Sequence, residues 1–128
     1  MAAKINFGLQ EVTMTLSTFF SDTVFFYPTA LTSAGTTANC DVAVQDTVAA
    51  TIFGVQVKVA SIGTNVVIRV EGSLNGTDFF NLDTADKTLT ANGVYFYNYA
   101  DRPLKTIRGN LVSISTGTPT VTFLISAK

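Results

Sequence analysis

The sequence contains no histidine and no tryptophan, and it contains one cysteine, Cys40. Without histidine, the chain lacks the usual general base of hydrolases, the His/Cys ligand sets of zinc sites and the partner of Cys–His nucleophile pairs. One cysteine also excludes an intrachain disulfide. We therefore expect no catalytic residues, no bound cofactor and no bound metal.

Charged residues are also scarce. Eight Lys and Arg against nine Asp and Glu give a net charge of -1, which is not the basic excess that neutralises nucleic-acid phosphates. Charged residues interrupt every apolar stretch before it reaches the roughly 20 residues of a membrane helix. The first ten residues lack the apolar core of a secretory signal. We expect no nucleic-acid partner, no membrane span and synthesis in the cytoplasm, where Cys40 stays reduced.

The residues that are abundant are β-formers. Hydrophobic residues make up 47% of the chain, and mean hydropathy is +0.35. Apolar residues recur at every second position, which is typical of strands, and no segment shows a sustained helical stripe. The pattern predicts one all-β domain over residues 1–128, an antiparallel β-sandwich or jelly-roll-like fold of about eight or nine strands. The strand-like pattern is found in the segments 11–18, 24–27, 40–44, 53–59, 66–70, 79–82, 88–90, 94–99, 106–115 and 120–126, of which 88–90 is the shortest.

Turn signals lie between these segments. The residues 61–65 have the composition of a hairpin turn, so we expect segments 53–59 and 66–70 to pair. Asn75-Gly76 tolerates positive φ and predicts a second reversal. Residues 29–39 are rich in Thr, Ser, Ala and Gly and are predicted to form a loop.

Three tyrosines, Tyr95, Tyr97 and Tyr99, share one face of the predicted strand 94–99, with Val94 and Phe96 on the other. Three interpretations are open: a core face, a protein interface and a sugar-stacking platform. The absence of tryptophan weakens the sugar interpretation. We place these tyrosines among the candidate interface residues.

The first ten residues contain a second candidate interface. Ile5, Phe7 and Leu9 alternate with polar or small residues, so this segment is either the first strand of the sandwich or an arm that adds a strand to a neighbouring subunit. Four phenylalanines further along, at positions 19, 20, 25 and 26, are assigned to the core in preference to an interface.

Polar residues offer few candidates for chemistry. Asp78, Asp83 and Asp86 lie in turn-like segments where aspartate commonly bonds the local backbone, so a glycosidase pair or a calcium site is a remote alternative. Arg69 and Arg108 lie inside apolar strands and are expected to face solvent or to pair with a carboxylate such as Glu71 or Asp101. Cys40 is expected to be a small buried hydrophobe.

Four segments of the second half resemble one protein family. Residues 71–82 contain a Ser-x-Asn-Gly turn before an aromatic strand, residues 92–95 contain another Asn-Gly turn, residues 104–108 end in Ile-Arg, and residues 118–128 form an alternating closing strand. Together they resemble small β-sandwich virion proteins of tailed bacteriophages. That resemblance implies a capsid decoration (cement) protein, a head fibre or a tail-associated module.

The leading hypothesis is a non-enzymatic decoration subunit of the phage head, which binds the major capsid protein and itself as a symmetric homo-oligomer, expected to be a trimer. The surplus of apolar residues fits this role because burial between subunits stabilises an assembly. The alternative is a carbohydrate- or receptor-binding module of a fibre or tail, acting through the tyrosine face. A small enzyme acting through Asp78, Asp83 or Asp86 is the third possibility.

Overall fold

The computed structural model describes residues 2–7, 10–15, 23–44 and 48–128, and every regular element within them is a β-strand. The strands are β1 Ala2–Phe7, β2 Gln10–Thr15, β3 Val24–Phe26, β4 Gly35–Thr36, β5 Cys40–Asp41, β6 Ala43–Val44, β7 Val48–Ala49, β8 Phe53–Ile62, β9 Val66–Ser73, β10 Phe80–Asn81, β11 Lys87–Leu89, β12 Gly93–Tyr99, β13 Thr106–Ile114 and β14 Gly117–Ala127. In these ranges there is no helix with the length and apolarity needed to cross a membrane.

Two antiparallel sheets form the body of the protein. The four-stranded sheet has the order β12-β8-β14-β3. The six-stranded sheet has the antiparallel pair β9 and β13 at its centre. At one edge β10 and β11 both pair with β9, and at the other edge β4 and β5 both pair with β13. The sheets pack face to face, and the prediction of an antiparallel β-sandwich is confirmed.

Alternation along the long strands produces the core. In β8, Val55, Val57 and Val59 are buried, and in β9 the buried residues are Val66, Ile68 and Val70. The inner face of β14 adds Val121, Phe123 and Ile125. Because successive side chains of a strand point to opposite faces, these period-2 sets line the space between the two sheets.

One close contact across the core involves a glycine. Gly109 lies on the inner face of β13, and a Cβ atom built there would lie 2.4 Å from the ring of Phe123 in the opposite sheet. Phe123 is fully buried. The backbone of Gly109 is also held in place, because its N–H donates to Thr37 Oγ1 at 3.1 Å and its carbonyl accepts from the Thr37 N–H at 2.9 Å. Glycine at this position therefore lets the aromatic ring lie directly against the neighbouring sheet.

The predicted hairpin between segments 53–59 and 66–70 is wrong. β8 pairs with β12 and β14, whereas β9 pairs with β13, β10 and β11, so the two segments face each other across the core. The connection is tied to the β13–β14 turn instead of closing on itself: Thr64 N–H donates to Thr116 Oγ1 at 2.8 Å and Asn65 N–H to Ser115 Oγ at 3.0 Å. Its composition signals a chain reversal but not the sheet that the chain enters next.

The Asn75-Gly76 reversal is confirmed. Gly76 has φ of 81°, a conformation that glycine adopts at low cost. Ser73 Oγ accepts from the Gly76 N–H at 2.9 Å, and Asn75 Oδ1 accepts from the N–H groups of Thr77 and Asp78 at 2.9 and 2.8 Å. The chain after β9 is thereby folded back so that β10 pairs with it.

Two further segments differ from the sequence prediction. The segment 40–44 divides into β5, which joins the six-stranded sheet, and β6, which pairs with β7. Between them lies the fully buried Val42, whose backbone bonds to Lys105 and Ala50. The predicted loop 29–39 contains β4 and an antiparallel bridge between Leu31 and Val121. Short edge strands pair through backbone groups, so the polar composition of a segment does not reveal them.

The amino-terminal segment forms a hairpin. β1 pairs with β2 from Ala2↔Thr15 to Phe7↔Gln10, and among the described residues neither strand is hydrogen-bonded into the two large sheets. Ile5 and Phe7 belong to β1. Leu9 and residues 16–20, including the two phenylalanines, lie outside the described residues.

We expect Gly109→Ala to destabilise the fold by about 2 kcal/mol, because the added methyl group overpacks against Phe123. Urea unfolding followed by circular dichroism measures the loss. Gly109→Ala combined with Phe123→Leu, which vacates space, should cost less than the sum of the two single changes. Strict additivity of the free energies would contradict the contact as the cause.

Candidate functional site

The tyrosine face of β12 is directed toward the core side of the four-stranded sheet. Tyr99 is buried and its hydroxyl donates to Asp83 Oδ2 at 2.7 Å. Burial, followed by the hydrogen bond to Asp83, raises the pKa of Tyr99 well above its ordinary value. Tyr95 and Tyr97 are partly buried against the core, and the Lys87 ammonium lies 4.3 Å from the centre of the Tyr97 ring. Of the three interpretations left open by the sequence, this placement favours the core face.

The opposite face of β12 is directed to solvent. Val94 is 61% exposed and Phe96 is 62% exposed. At the other edge of the same sheet, Phe25 is 61% exposed and Tyr27 is 73% exposed. The outer surface of the four-stranded sheet therefore displays apolar side chains from both of its edge strands, a feature associated with interaction sites. We call this surface the aromatic face and define it by Phe25, Tyr27, Val94 and Phe96.

A groove of about 220 Å³ runs between the two edges of the aromatic face. Its lining residues are Phe25, Phe26, Tyr27, Gly54, Gln56, Phe96, Leu124, Ile125 and Ser126. Phe96 stands opposite Gln56 on β8, and Phe25 stands opposite Ser126 on β14. The aromatic side chains thus form the two walls, and the central strands β8 and β14 form the floor.

Gly54 gives the groove part of its depth. A Cβ atom at Gly54 would lie 3.2 Å from the Phe96 ring and 2.7 Å from Ser126 Oγ. The Ser126 hydroxyl donates to the Gly54 carbonyl at 3.4 Å, and Gln56 adds an amide beside it. Among the described residues that line the groove, none carries a charge. Such a surface is suited to an apolar or neutral polar partner.

The groove is not apparent from the sequence. The predicted core position is correct for Phe26 and wrong for Phe25, because the two are neighbours on β3 and alternation directs only Phe26 toward the core. Phe25 faces outward beside Ser126. The alternation of residues 24–27 is the signal that separates the two phenylalanines.

The outer face of the six-stranded sheet is polar instead. Glu71 on β9 is buried, and its carboxylate accepts from Arg108 Nε at 2.8 Å, from Asn110 Nδ2 at 3.0 Å and from Arg69 at 3.4 Å. Arg69 also donates to both carboxylate oxygens of Asp86, at 2.7 and 2.9 Å. The expectation that Arg69 and Arg108 pair with a carboxylate such as Glu71 is confirmed, with Asp86 as a further partner.

These pairings change the proton affinity of both carboxylates. Burial alone raises the pKa of Glu71, but hydrogen bonds from Asn110, Arg108 and Arg69 outweigh it, so the pKa lies below its ordinary value. The hydrogen bonds from Arg69 likewise lower the pKa of Asp86. Both groups are held in their charged forms, and the cluster stabilises this face internally.

The aspartates considered for chemistry are engaged in the same way. Asp86 binds Arg69, Asp83 accepts from Tyr99 and lies 3.5 Å from Lys87 Nζ, and Asp78 accepts from Asn75 Nδ2 at 2.8 Å. Within the described parts of the chain, no three metal-ligating side chains come together. These contacts give each carboxylate a structural partner.

Cys40 is buried in the core cluster. Burial, with a smaller contribution from the charge of Asp41, raises the pKa of the Cys40 thiol to about 11. A thiol in this environment is protonated at neutral pH and poorly nucleophilic.

We expect Glu71→Gln to destabilise the protein by about 2 kcal/mol at pH 7, because charge-assisted hydrogen bonds from two arginines are weakened. A lowered native pKa contributes stability above the ordinary value of 4.5, and that contribution is lost as the pH falls through the native pKa. Urea unfolding between pH 7 and pH 3 should therefore show a smaller loss of stability in the variant than in the unchanged protein. Parallel pH profiles would show that Glu71 is not responsible.

The sequence matches no family model and no curated protein. In fold, it is similar to the crystal structure of the SPBc2 prophage-derived protein YomS. The match has a TM-score of 0.54 and 17% sequence identity, and it covers 82% of this chain and 93% of the other. At this identity the likeness concerns the fold: a β-sandwich of this type occurs in a prophage-derived protein.

Proposed function

We propose that this chain is a non-enzymatic bacteriophage structural protein, a capsid decoration (cement) subunit that binds the outside of the head. Its partners in this proposal are the major capsid protein and further copies of itself, arranged as a trimer. By bridging neighbouring capsomers, it would stabilise the shell of the virion.

The aromatic face is the observation that carries the proposal. Four apolar side chains, three of them aromatic, are each more than 60% exposed on one sheet surface. Burying such side chains against a partner contributes roughly 25 cal/mol per Å² of apolar area, and aromatic residues are enriched at the centres of protein interfaces. A sheet surface of this composition is suited to contact with another protein.

Two further observations support a phage origin. The fold is similar to that of a prophage-derived protein, and the second half of the sequence resembles small virion proteins of tailed phages. The internally paired polar face of the six-stranded sheet complements the aromatic face, since one side of the molecule can remain in solvent while the other is covered.

The test uses phage heads that lack the protein. The full-length chain should co-sediment with these heads, saturate a fixed number of sites and raise the temperature at which the heads rupture. Phe96→Ser should weaken binding at least tenfold, because it removes the aromatic ring that forms one wall of the groove.

Leu74→Ser is the matched control. Leu74 is 69% exposed, but it lies in the turn after β9, away from the aromatic face. The same change in polarity there should leave binding unchanged. Heads that do not bind the unchanged protein would exclude the proposal, and equal losses in both variants would exclude the aromatic face as the contact.

The groove supports a second candidate function, a carbohydrate- or receptor-binding module of a fibre or tail. Aromatic walls, an amide from Gln56 and a hydroxyl from Ser126 are the groups used to stack on and hydrogen-bond a neutral sugar ring. In the sequence, Tyr97 was the residue expected to carry this activity. Because Tyr97 packs against the core, Phe96 and Tyr27 take that role in the proposal.

A glycan array with the full-length protein tests the second function. Binding to a neutral glycan should fall at least tenfold in Tyr27→Ala and persist in Leu74→Ala. Failure to bind any glycan, together with saturable binding to heads, would leave the decoration function alone.

A further inference from the structure

The four-stranded sheet has one edge that is built differently from all the others in the described residues. β12 spans the seven residues Gly93–Tyr99 and hydrogen-bonds to β8 on one side only. Its register with β8 is continuous from Gly93↔Val59 to Tyr99↔Phe53, with no bulge. The strand contains no proline and no charged residue.

Proteins usually protect sheet edges with short strands, prolines, lysines or bulges, because unpaired backbone groups recruit other strands. The other edges described here follow that rule. β3 has three residues and is followed by Pro28, and the edges of the six-stranded sheet consist of strands of two or three residues. Within the part of the chain that the structure describes, β12 is therefore a long, regular edge without protection.

The β1–β2 hairpin is the second element that could pair with a further strand. It is a two-stranded sheet of six residues per strand, and among the described residues it has no hydrogen-bonded neighbour in either large sheet. A two-stranded hairpin alone in water is marginally stable, and it gains stability when it is extended into a larger sheet. Its strands match β12 in length to within one residue.

Within the described residues these two elements do not pair with each other, which leaves them to pair between copies. The hairpin precedes β3, which is one edge strand of the four-stranded sheet, and β12 is the opposite edge strand. The donor β1 and the acceptor β12 are thus different elements of the subunit, so their pairing is not self-complementary. A contact of this kind is head-to-tail, and head-to-tail contacts close into rings when the rotation between subunits allows it.

We propose that β1 of one copy adds to the free edge of β12 in a second copy, joining the hairpin of one subunit to the four-stranded sheet of the next. The inference rests on the self-association part of the proposed function and specifies how it occurs. One pairing satisfies both the unprotected edge and the isolated hairpin. A strand that receives a neighbouring strand must also lack proline and charge along its edge, as β12 does.

Disulfide trapping in the full-length chain tests the pairing. In a Cys40→Ala background, Asn98→Cys is combined in turn with a cysteine at each of the six residues of β1. Asn98 is exposed on β12, and paired strands bring Cα atoms within the 4.4 to 6.8 Å that a disulfide requires. At one or more β1 positions, oxidation should convert the protein into interchain species whose largest size equals the oligomer measured by light scattering.

Ser113→Cys replaces Asn98→Cys in the matched control. Ser113 is exposed on β13 of the six-stranded sheet, so its cysteine should trap nothing with β1. The series is repeated with Cys40 retained, because this buried thiol does not compete and the result then does not depend on the Cys40→Ala change.

Three results would overturn the inference. These are disulfides formed only within one chain, dimers formed by Asn98→Cys alone through β12–β12 contact, and no trapping at any of the six β1 positions. Binding to heads is measured separately. If the chain binds heads but shows no β1–β12 trapping, the proposed function stands and the strand pairing is excluded. If trapping occurs but the chain does not bind heads, the strand pairing stands and the proposed function is excluded.

Discussion

Side chains of successive residues in a strand point to opposite faces, and the rest of this structure depends on that constraint. In β12 it sends Tyr95, Tyr97 and Tyr99 toward the core and Val94 and Phe96 toward solvent. The strand cannot bury both sets against a single opposing sheet. With apolar residues on both faces, it stabilises the sandwich through one face and leaves the other available for a partner.

The two outer faces of the sandwich solve this problem in different ways. On the six-stranded sheet, the outward residues Arg69, Arg108 and Asn110 pair around the carboxylate of Glu71. On the four-stranded sheet, the outward residues Phe25, Val94 and Phe96 of the edge strands are aromatic or aliphatic and cannot form charge-assisted hydrogen bonds. The two outer faces of the molecule therefore differ in polarity, as expected of a subunit that covers a surface with one face and meets solvent with the other.

The sequence predicts the local features of the fold well. The all-β class, the long strands and the Asn75-Gly76 reversal all follow from period-2 patterns and turn chemistry, which depend on residues close together in the chain. The pairing of Arg108 and Arg69 with Glu71 also follows, because the expense of burying an unpaired charge restricts the possible neighbours.

Nonlocal features could not be predicted in the same way. The alternation in segments 53–59 and 66–70 is compatible with strands side by side or across the core, and contacts of Thr64 and Asn65 with a turn 50 residues away accompany the crossing between sheets. The aromatic groove needs Phe25 and Phe96 from opposite edges of one sheet. Phe25 and Phe96 are 71 positions apart in the sequence, so only the strand order brings them together.

The edge strands of the two sheets also differ in whether they can accept a further strand. At the other described edges, short strands and Pro28 end the pairing at little loss to the core, because few buried side chains lie there. β12 cannot be shortened in this way, since its inner tyrosines cover the core and Tyr99 anchors Asp83. The length that the core requires of β12 also leaves a long row of backbone groups unpaired within the described chain. An edge that must be long for the core is the one best placed to receive a neighbouring strand, so the needs of folding and of assembly coincide in β12.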